Sequence, residues 1–94
     1  MDTLSQTDKK KLLKQSHDLR PVVMIGNKGL TEAVDKEIDI ALNSHELIKI
    51  KIAGSDREQR RELLGNISEK HNTMLLQQIG SIGIFYRPNK DAKD

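Results

Sequence analysis

A chain of 94 residues has room for one domain and no length for a second. Hydrophobic residues make up 35% of it and charged residues 32%, which predicts a small core and one-sided helices and argues against disorder throughout. The absence of cysteine excludes disulfides and thiolate metal sites and fits a reducing compartment, and the formal net charge is only +2.

That net charge hides segregation. Residues 1–29 carry six Lys and Arg against three acids, residues 30–46 one against five, and residues 47–61 five against two. A polyanion would meet two basic segments and avoid the acidic one between them. Mixed charge is also ordinary solvated surface, so charge alone does not decide. The longest apolar run, Val22 to Ile25, is too short for a signal-peptide core or a membrane span, and Met1-Asp2-Thr3 is polar. A cytoplasmic protein with no membrane partner is expected.

In chain order, Ser5 is a plausible N-cap for a first helix over 5–16, in which Leu12, Leu13 and Ser16 form a partly apolar face among lysines. Pro21 stops any helix and extends Arg20, and Val22-Val23-Met24-Ile25 reads as a short buried strand. Gly26-Asn27-Lys28-Gly29 breaks it. Leu30, Val34, Ile38, Ala41 and Leu42 then follow at spacings of four and three, a helical stripe with acids on its solvated side and Thr31 as N-cap. Leu47 to Ile52 alternates, with Ile48, Ile50 and Ile52 on one face and Leu47, Lys49 and Lys51 on the other, the pattern of a half-buried strand. After Gly54, Ser55 and Glu58 match a capping box, and Leu63, Leu64, Ile67 and His71 mark a third helix that Gly65 weakens locally. Met74 to Ile79 and Ile82 to Arg87 are two last strands joined by a two-residue hairpin loop, Gly80-Ser81.

The order α-β-α-β-α-β-β makes the first three strands parallel in direction through right-handed crossovers, and the hairpin adds an antiparallel one. The prediction is an α/β two-layer sandwich with a four-stranded mixed sheet. The domain is expected to span residues 1–88, with 89–94 a polar tail.

The loop 26–29 is the sharpest functional feature. It leaves a strand and enters a helix, whose N-terminus presents unpaired N–H groups and partial positive charge, as phosphate requires. Its two glycines admit positive φ and a close nucleic-acid backbone, and Lys28 adds a cation at the tip. KH domains clamp single-stranded RNA with such a Gly-x-x-Gly loop. The motif alone is weak: a tight strand-to-helix turn would look the same, and Gly80-Ser81-Ile82-Gly83 repeats it in a hairpin without a cation or a following helix. No Gly-Lys-Ser/Thr follows to make a Walker A loop, and no third glycine makes a dinucleotide fingerprint.

A longer pattern carries more. His17-x-Leu19-x-Pro21-Val22-Val23-x-Ile25-Gly26-x-x-Gly29-Leu30-Thr31 is followed by Glu37-Ile38 and Ala41-Leu42. Then come His45-Glu46-Leu47-Ile48-Lys49-Ile50-Lys51, Ile79-Gly80 and Tyr86-Arg87-Pro88. From about residue 4 to residue 88 the chain resembles the YhbY family, the stand-alone bacterial form of the CRM RNA-binding domain. The resemblance implies a compact α/β domain similar to the C-terminal domain of a translation initiation factor. It also implies association with ribosomal RNA in large-subunit precursors, while related plant domains serve in organellar intron splicing. Ser16 stands where alanine is common, and Gly83 stands where a bulkier residue is usual, which predicts a loosened last strand.

The candidate RNA-binding residues are Gly26, Asn27, Lys28 and Gly29, together with Arg20 and with Lys9, Lys10, Lys11 and Lys14 of the first helix, which could hold phosphates flanking the loop. Lys49 and Lys51 form a platform if their sheet face is open and rim charges if it is covered. Arg57, Arg60 and Arg61 sit at a helix start, where cations oppose the dipole, a placement that favours an external anion. Phe85 and Tyr86 point to opposite faces; one is core, and Tyr86 could stack a base with Arg87 adding a phosphate contact. His17, His45 and His71 lack grouped partners, so no metal is expected, and His17 and His45 read as capping or packing residues. No nucleophile sits in a catalytic arrangement, so neither an enzyme, a cofactor nor a small-molecule substrate is expected. The reading is a monomeric RNA-binding factor for assembly of the large ribosomal subunit. The alternatives are a general RNA chaperone or intron-splicing binder, and, from another class, a protein-interaction module using the acidic second helix or an uncovered sheet face.

Overall fold

A computed structural model describes residues 5–54 and 56–88. The first helix, α1 (Gln6–Ser16), begins where Ser5 accepts the Asp8 amide at 3.1 Å. It is followed by β1 (Val23–Ile25), α2 (Glu32–His45), β2 (Leu47–Ile52), α3 (Arg57–Lys70), β3 (Met74–Ile79) and β4 (Ile82–Tyr86). The α/β class and the element order are as the sequence predicts. Arg87 lies one residue beyond the last strand, and the expected tail 89–94 is outside the described residues.

The sheet runs in the order β1-β2-β4-β3. β1 is parallel to β2, while β4 lies antiparallel between β2 and β3. Ile79 faces Ile82 across the two-residue loop, where Gly80 takes φ +58, the left-handed geometry a tight hairpin needs. β1 is an edge strand, and only Val23 and Ile25 are buried in it. The expectation of a wholly buried run from Val22 to Ile25 is corrected: Val22 is 50% and Met24 61% exposed, because no helix covers that side of them.

The alternation of β2 sorts the core. Ile48, Ile50 and Ile52 join Ile38 and Leu42 of α2, Leu64 and Ile67 of α3, and Phe85. Leu47 points the other way with Leu76 and Ile84, and there Leu12 and Leu13 of α1 pack with Met74 and Tyr86. Thus α2 and α3 cover one face, and α1 covers the Leu47–Tyr86 end of the other. Ser16 is fully buried under α1, its hydroxyl donating to the Leu13 carbonyl at 2.6 Å.

Two local expectations change. The capping box of α3 is Asp56 with Gln59: Asp56 accepts the Gln59 amide at 2.8 Å, and the Gln59 side chain accepts the Asp56 amide at 3.2 Å. Ser55 itself lies outside the described residues. Asp and Gln satisfy helix-start N–H groups as well as Ser and Glu do, so composition allowed either register. Gly83 does not loosen β4. A Cβ there would lie 2.6 Å from Leu64 Cδ2 and 3.0 Å from Phe85 Cε2, so the missing side chain is what lets α3 close onto the sheet.

Candidate nucleic-acid interface

The C-terminal ends of β1 and β2 point the same way as the β3–β4 hairpin. Ile25 pairs with Ile52, Lys51 with Ile82, and Ile82 with Ile79. One end of the sheet therefore gathers the loop 26–29, the segment 53–54, the start of α3 and the hairpin tip.

Within the loop, the Gly29 amide donates to the Gly26 carbonyl at 3.0 Å, and Gly29 takes φ +73, where a side chain is strained. Thr31 then caps α2, accepting the Val34 amide at 3.2 Å. The space a side chain would fill at Gly26 and at Gly29 is open to 4 Å. Lys28 is exposed at the tip. The amide oxygen of Asn27 is turned against Gly54, where an added Cβ would lie only 2.3 Å away. Gly54 has φ +69, and the Ala53 amide donates to the Ile25 carbonyl at 2.9 Å, so Asn27 and segment 53–54 brace the loop. A cavity of about 210 Å³ between loop and α3 includes Glu62 in its wall. A carboxylate there repels an anion, so an approaching phosphate is favoured on the outer side, with Lys28 and the open glycines.

Arg57, Arg60 and Arg61 lie on one side of the first turns of α3 and line a cavity of about 400 Å³ with Gln78 and Gly80. Like charges at spacings of three and four repel, and all three oppose the helix dipole. Arg57 and Arg61 make no ion pair with another described residue. Lys51 is exposed and Lys49 half-buried on the opposite sheet face.

The structure does not bring the other candidates to this end. Arg20 precedes β1 and sits at the far end of it from the loop, beside a cavity it shares with Pro21 and His45. Lys9, Lys10, Lys11 and Lys14 ride on α1, whose packing partners Leu47 and Tyr86 are also at the far end. Tyr86 packs beneath α1 rather than standing free. Burial, and then the carboxylates of Glu46 and Asp8, hold its hydroxyl above the usual phenol range.

Arg87 is corrected from a phosphate contact to a structural clamp. Its Nη1 donates to Asp39 Oδ1 at 3.0 Å and to the His71 carbonyl at 2.9 Å, and its Nη2 to Asn43 Oδ1 at 2.9 Å. Two acids of α2 are corrected with it. Asp35 binds Lys70 and lies 3.0 Å from His71 Nε2, and Asp39 meets Arg87. The hydrogen bond from Lys70 holds Asp35 below the usual carboxylate range, and that from Arg87 does the same for Asp39. Asp35 and Asp39 tie α2 to α3 and to Arg87 after β4, while Glu32 and Glu37 remain exposed on the solvated face. Residues 48 apart give no local signal of such a network. His17 caps the C-terminus of α1, and His45 is the last residue of α2. Among the described residues, no group of three or more His, Cys, Asp or Glu is placed to hold a metal ion, and no helix is long and apolar enough to cross a membrane.

The sequence matches the CRS1 / YhbY (CRM) domain over residues 4–87, nearly its whole length. The chain belongs to this family. It is similar to a Haemophilus influenzae RNA-binding protein, 47% identical over 93 residues, with 99% of this chain and 94% of the relative covered. A Pseudomonas aeruginosa protein named as a probable RNA-binding protein is 42% identical, covering 92% of this chain and 83% of its own. The solution structure of a Staphylococcus aureus protein proposed to bind RNA superposes with a TM-score of 0.81 at 33% identity, covering 97% of this chain and 95% of that one. The CRM fold of this chain and that neighbour is therefore shared from end to end.

Proposed function

We propose that this CRM protein binds RNA at the loop end of its sheet and serves as a cytoplasmic assembly factor on large-subunit ribosomal RNA. It acts by holding RNA, without chemistry of its own. The observation that carries the reading is the convergence of the open Gly26–Gly29 loop, Lys28 and the three arginines of α3 at one end of the sheet. The loop turns open backbone and a capped helix start toward an incoming phosphate, and the arginines set three cations on one side of the α3 start. The names of the similar proteins support RNA as the ligand class. The ribosomal assignment rests on the family resemblance. For the protein-interaction alternative, Asp35 and Asp39 of the acidic helix are engaged within the domain, which leaves the uncovered sheet face as its main surface.

Gradient sedimentation of cell extract tests the reading. The protein is expected in large-subunit precursor fractions at low salt, and to leave them as salt rises or with Lys28→Glu. A signal confined to ribosome-free fractions at low salt rejects the assembly role. Unchanged association of Lys28→Glu rejects the loop as the clamp.

A further inference from the structure

The register of the sheet lines up one residue from each strand at the loop end of the face that α1 leaves open. Met24 of β1 pairs with Lys51 of β2, Lys51 with Ile82 of β4, and Ile82 with Ile79 of β3. Directly paired residues share a face, and Ile82 lies two residues before Ile84, which packs under α1. The row thus continues the α1 face past the end of its cover. Met24 is 61% and Ile79 54% exposed, Ile82 is half-buried and Lys51 is exposed.

We infer that this row is a platform for the unpaired bases of single-stranded RNA, whose backbone the adjacent loop holds; the inference rests on the RNA-binding reading above. Charge selects the occupant. The strand residues on the open face, from Val22 through Lys49 and Lys51 to Ile79, include two cations and no carboxylate. The row begins one residue before Ile25 and the loop 26–29, and it ends at the hairpin whose Gly80 borders the arginine cavity. Lys28 of the loop borders the strip at one end and Lys49 and Lys51 stand along it, while the arginine cavity lies behind the hairpin on the α3 face, so a strand can set bases on the strip and phosphates on these lysines. A duplex buries its base faces and offers this strip nothing apolar, so the substrate class is unpaired RNA. Aliphatic side chains contact base faces through apolar area alone, which makes the contact tolerant of sequence.

The test is fluorescence anisotropy with three probes: a mixed-sequence 12-mer RNA, the same 12-mer annealed to its complement, and an abasic 12-mer. Affinities are measured across a salt series for the wild type, Met24→Ser/Ile79→Ser and Lys51→Gln. Both serines replace exposed side chains, and unchanged thermal melting checks that the variant is folded. The wild type is expected to prefer the bare 12-mer to the duplex and to the abasic strand. The double serine variant should weaken binding of the 12-mer by about tenfold, the equivalent of roughly 50 Å² of lost apolar contact, with no change in salt slope. Lys51→Gln should lower the salt slope by about one. Equal binding of all three probes, or an unaltered affinity of the serine variant for the 12-mer, overturns the platform while leaving RNA binding intact. An unaltered affinity accompanied by a change in self-association assigns the face to a second copy of the chain. Failure of the wild type to bind any of the three overturns the RNA-binding reading and the platform together.

Discussion

Substituting Gly83 by alanine should destabilise the domain through one identifiable atom. Where the backbone conformation suits alanine, Gly→Ala ordinarily stabilises by about 0.4–1 kcal/mol, by restricting the unfolded chain. Here the new Cβ would lie 2.6 Å from Leu64 Cδ2, 3.4 Å from Leu64 Cδ1 and 3.0 Å from Phe85 Cε2. Leu64 and Phe85 are both fully buried, so neither can swing into solvent. Overpacking of this kind costs about 1–3 kcal/mol, which leaves a net loss of about 1–2 kcal/mol and a fall in Tm of roughly 5–10 °C for a domain of this size. The same substitution in a Leu64→Val background removes both Cδ contacts and leaves only the Phe85 ring. There the loss should shrink by about 1 kcal/mol, measurable as a coupling energy from four urea-unfolding curves. A rise in Tm for Gly83→Ala, or an equal loss in the two backgrounds, would refute the assignment of Gly83 as the seat of α3.

The two loop glycines should separate folding from binding. Gly29→Ala forces a side chain into φ +73 and should lower stability by about 1–2 kcal/mol, whereas Gly26→Ala meets neither positive φ nor a neighbour within 4 Å and should melt like the wild type while weakening RNA binding; equal effects of the two on melting would contradict the loop geometry. Acid provides a third check. Asp35 and Asp39 are held below their ordinary value of 3.8 by Lys70 and Arg87, so their stabilisation is complete above that value and is lost as pH falls through the lower folded values. Thermal melts should fall away below about pH 4, and Asp35→Asn should be less stable at pH 7 with a flatter decline in acid; a decline as steep as that of the wild type would place the acid-sensitive group elsewhere.

What could be read from the sequence was local in it. Ser5 and Thr31 sit beside the helices they cap, and the Ile-Lys alternation of β2 fixes both of its faces within six residues. The Gly-x-x-Gly loop is contiguous, so its strand, its tip cation and its helix could be named before the fold was known. The alternation also put Phe85 and Tyr86 on opposite faces with one of them core, but not that Phe85 is the buried one or that α1 lies over Tyr86. The capping register of α3 slipped by one residue because two adjacent polar pairs have nearly the same capping chemistry.

What could not be read was set by pairs distant in sequence. Arg87 and Asp39 are 48 residues apart, and nothing near either one marks the other, so an arginine after a tyrosine looked like a phosphate contact. Gly83 looked like a weak point because its partner, Leu64, comes from an element packed across the sheet. The same blindness explains why the apolar row went unseen. Met24 appeared to belong to a buried run, and Ile79 and Ile82 to an ordinary hairpin, until strand order placed them beside Lys51. A contiguous loop leaves its signature in the sequence, whereas a row drawn from four strands does not. The proposed platform predicts that two domains of this family with the same loop differ in the RNA they prefer according to positions 24, 51, 79 and 82 rather than 26–29.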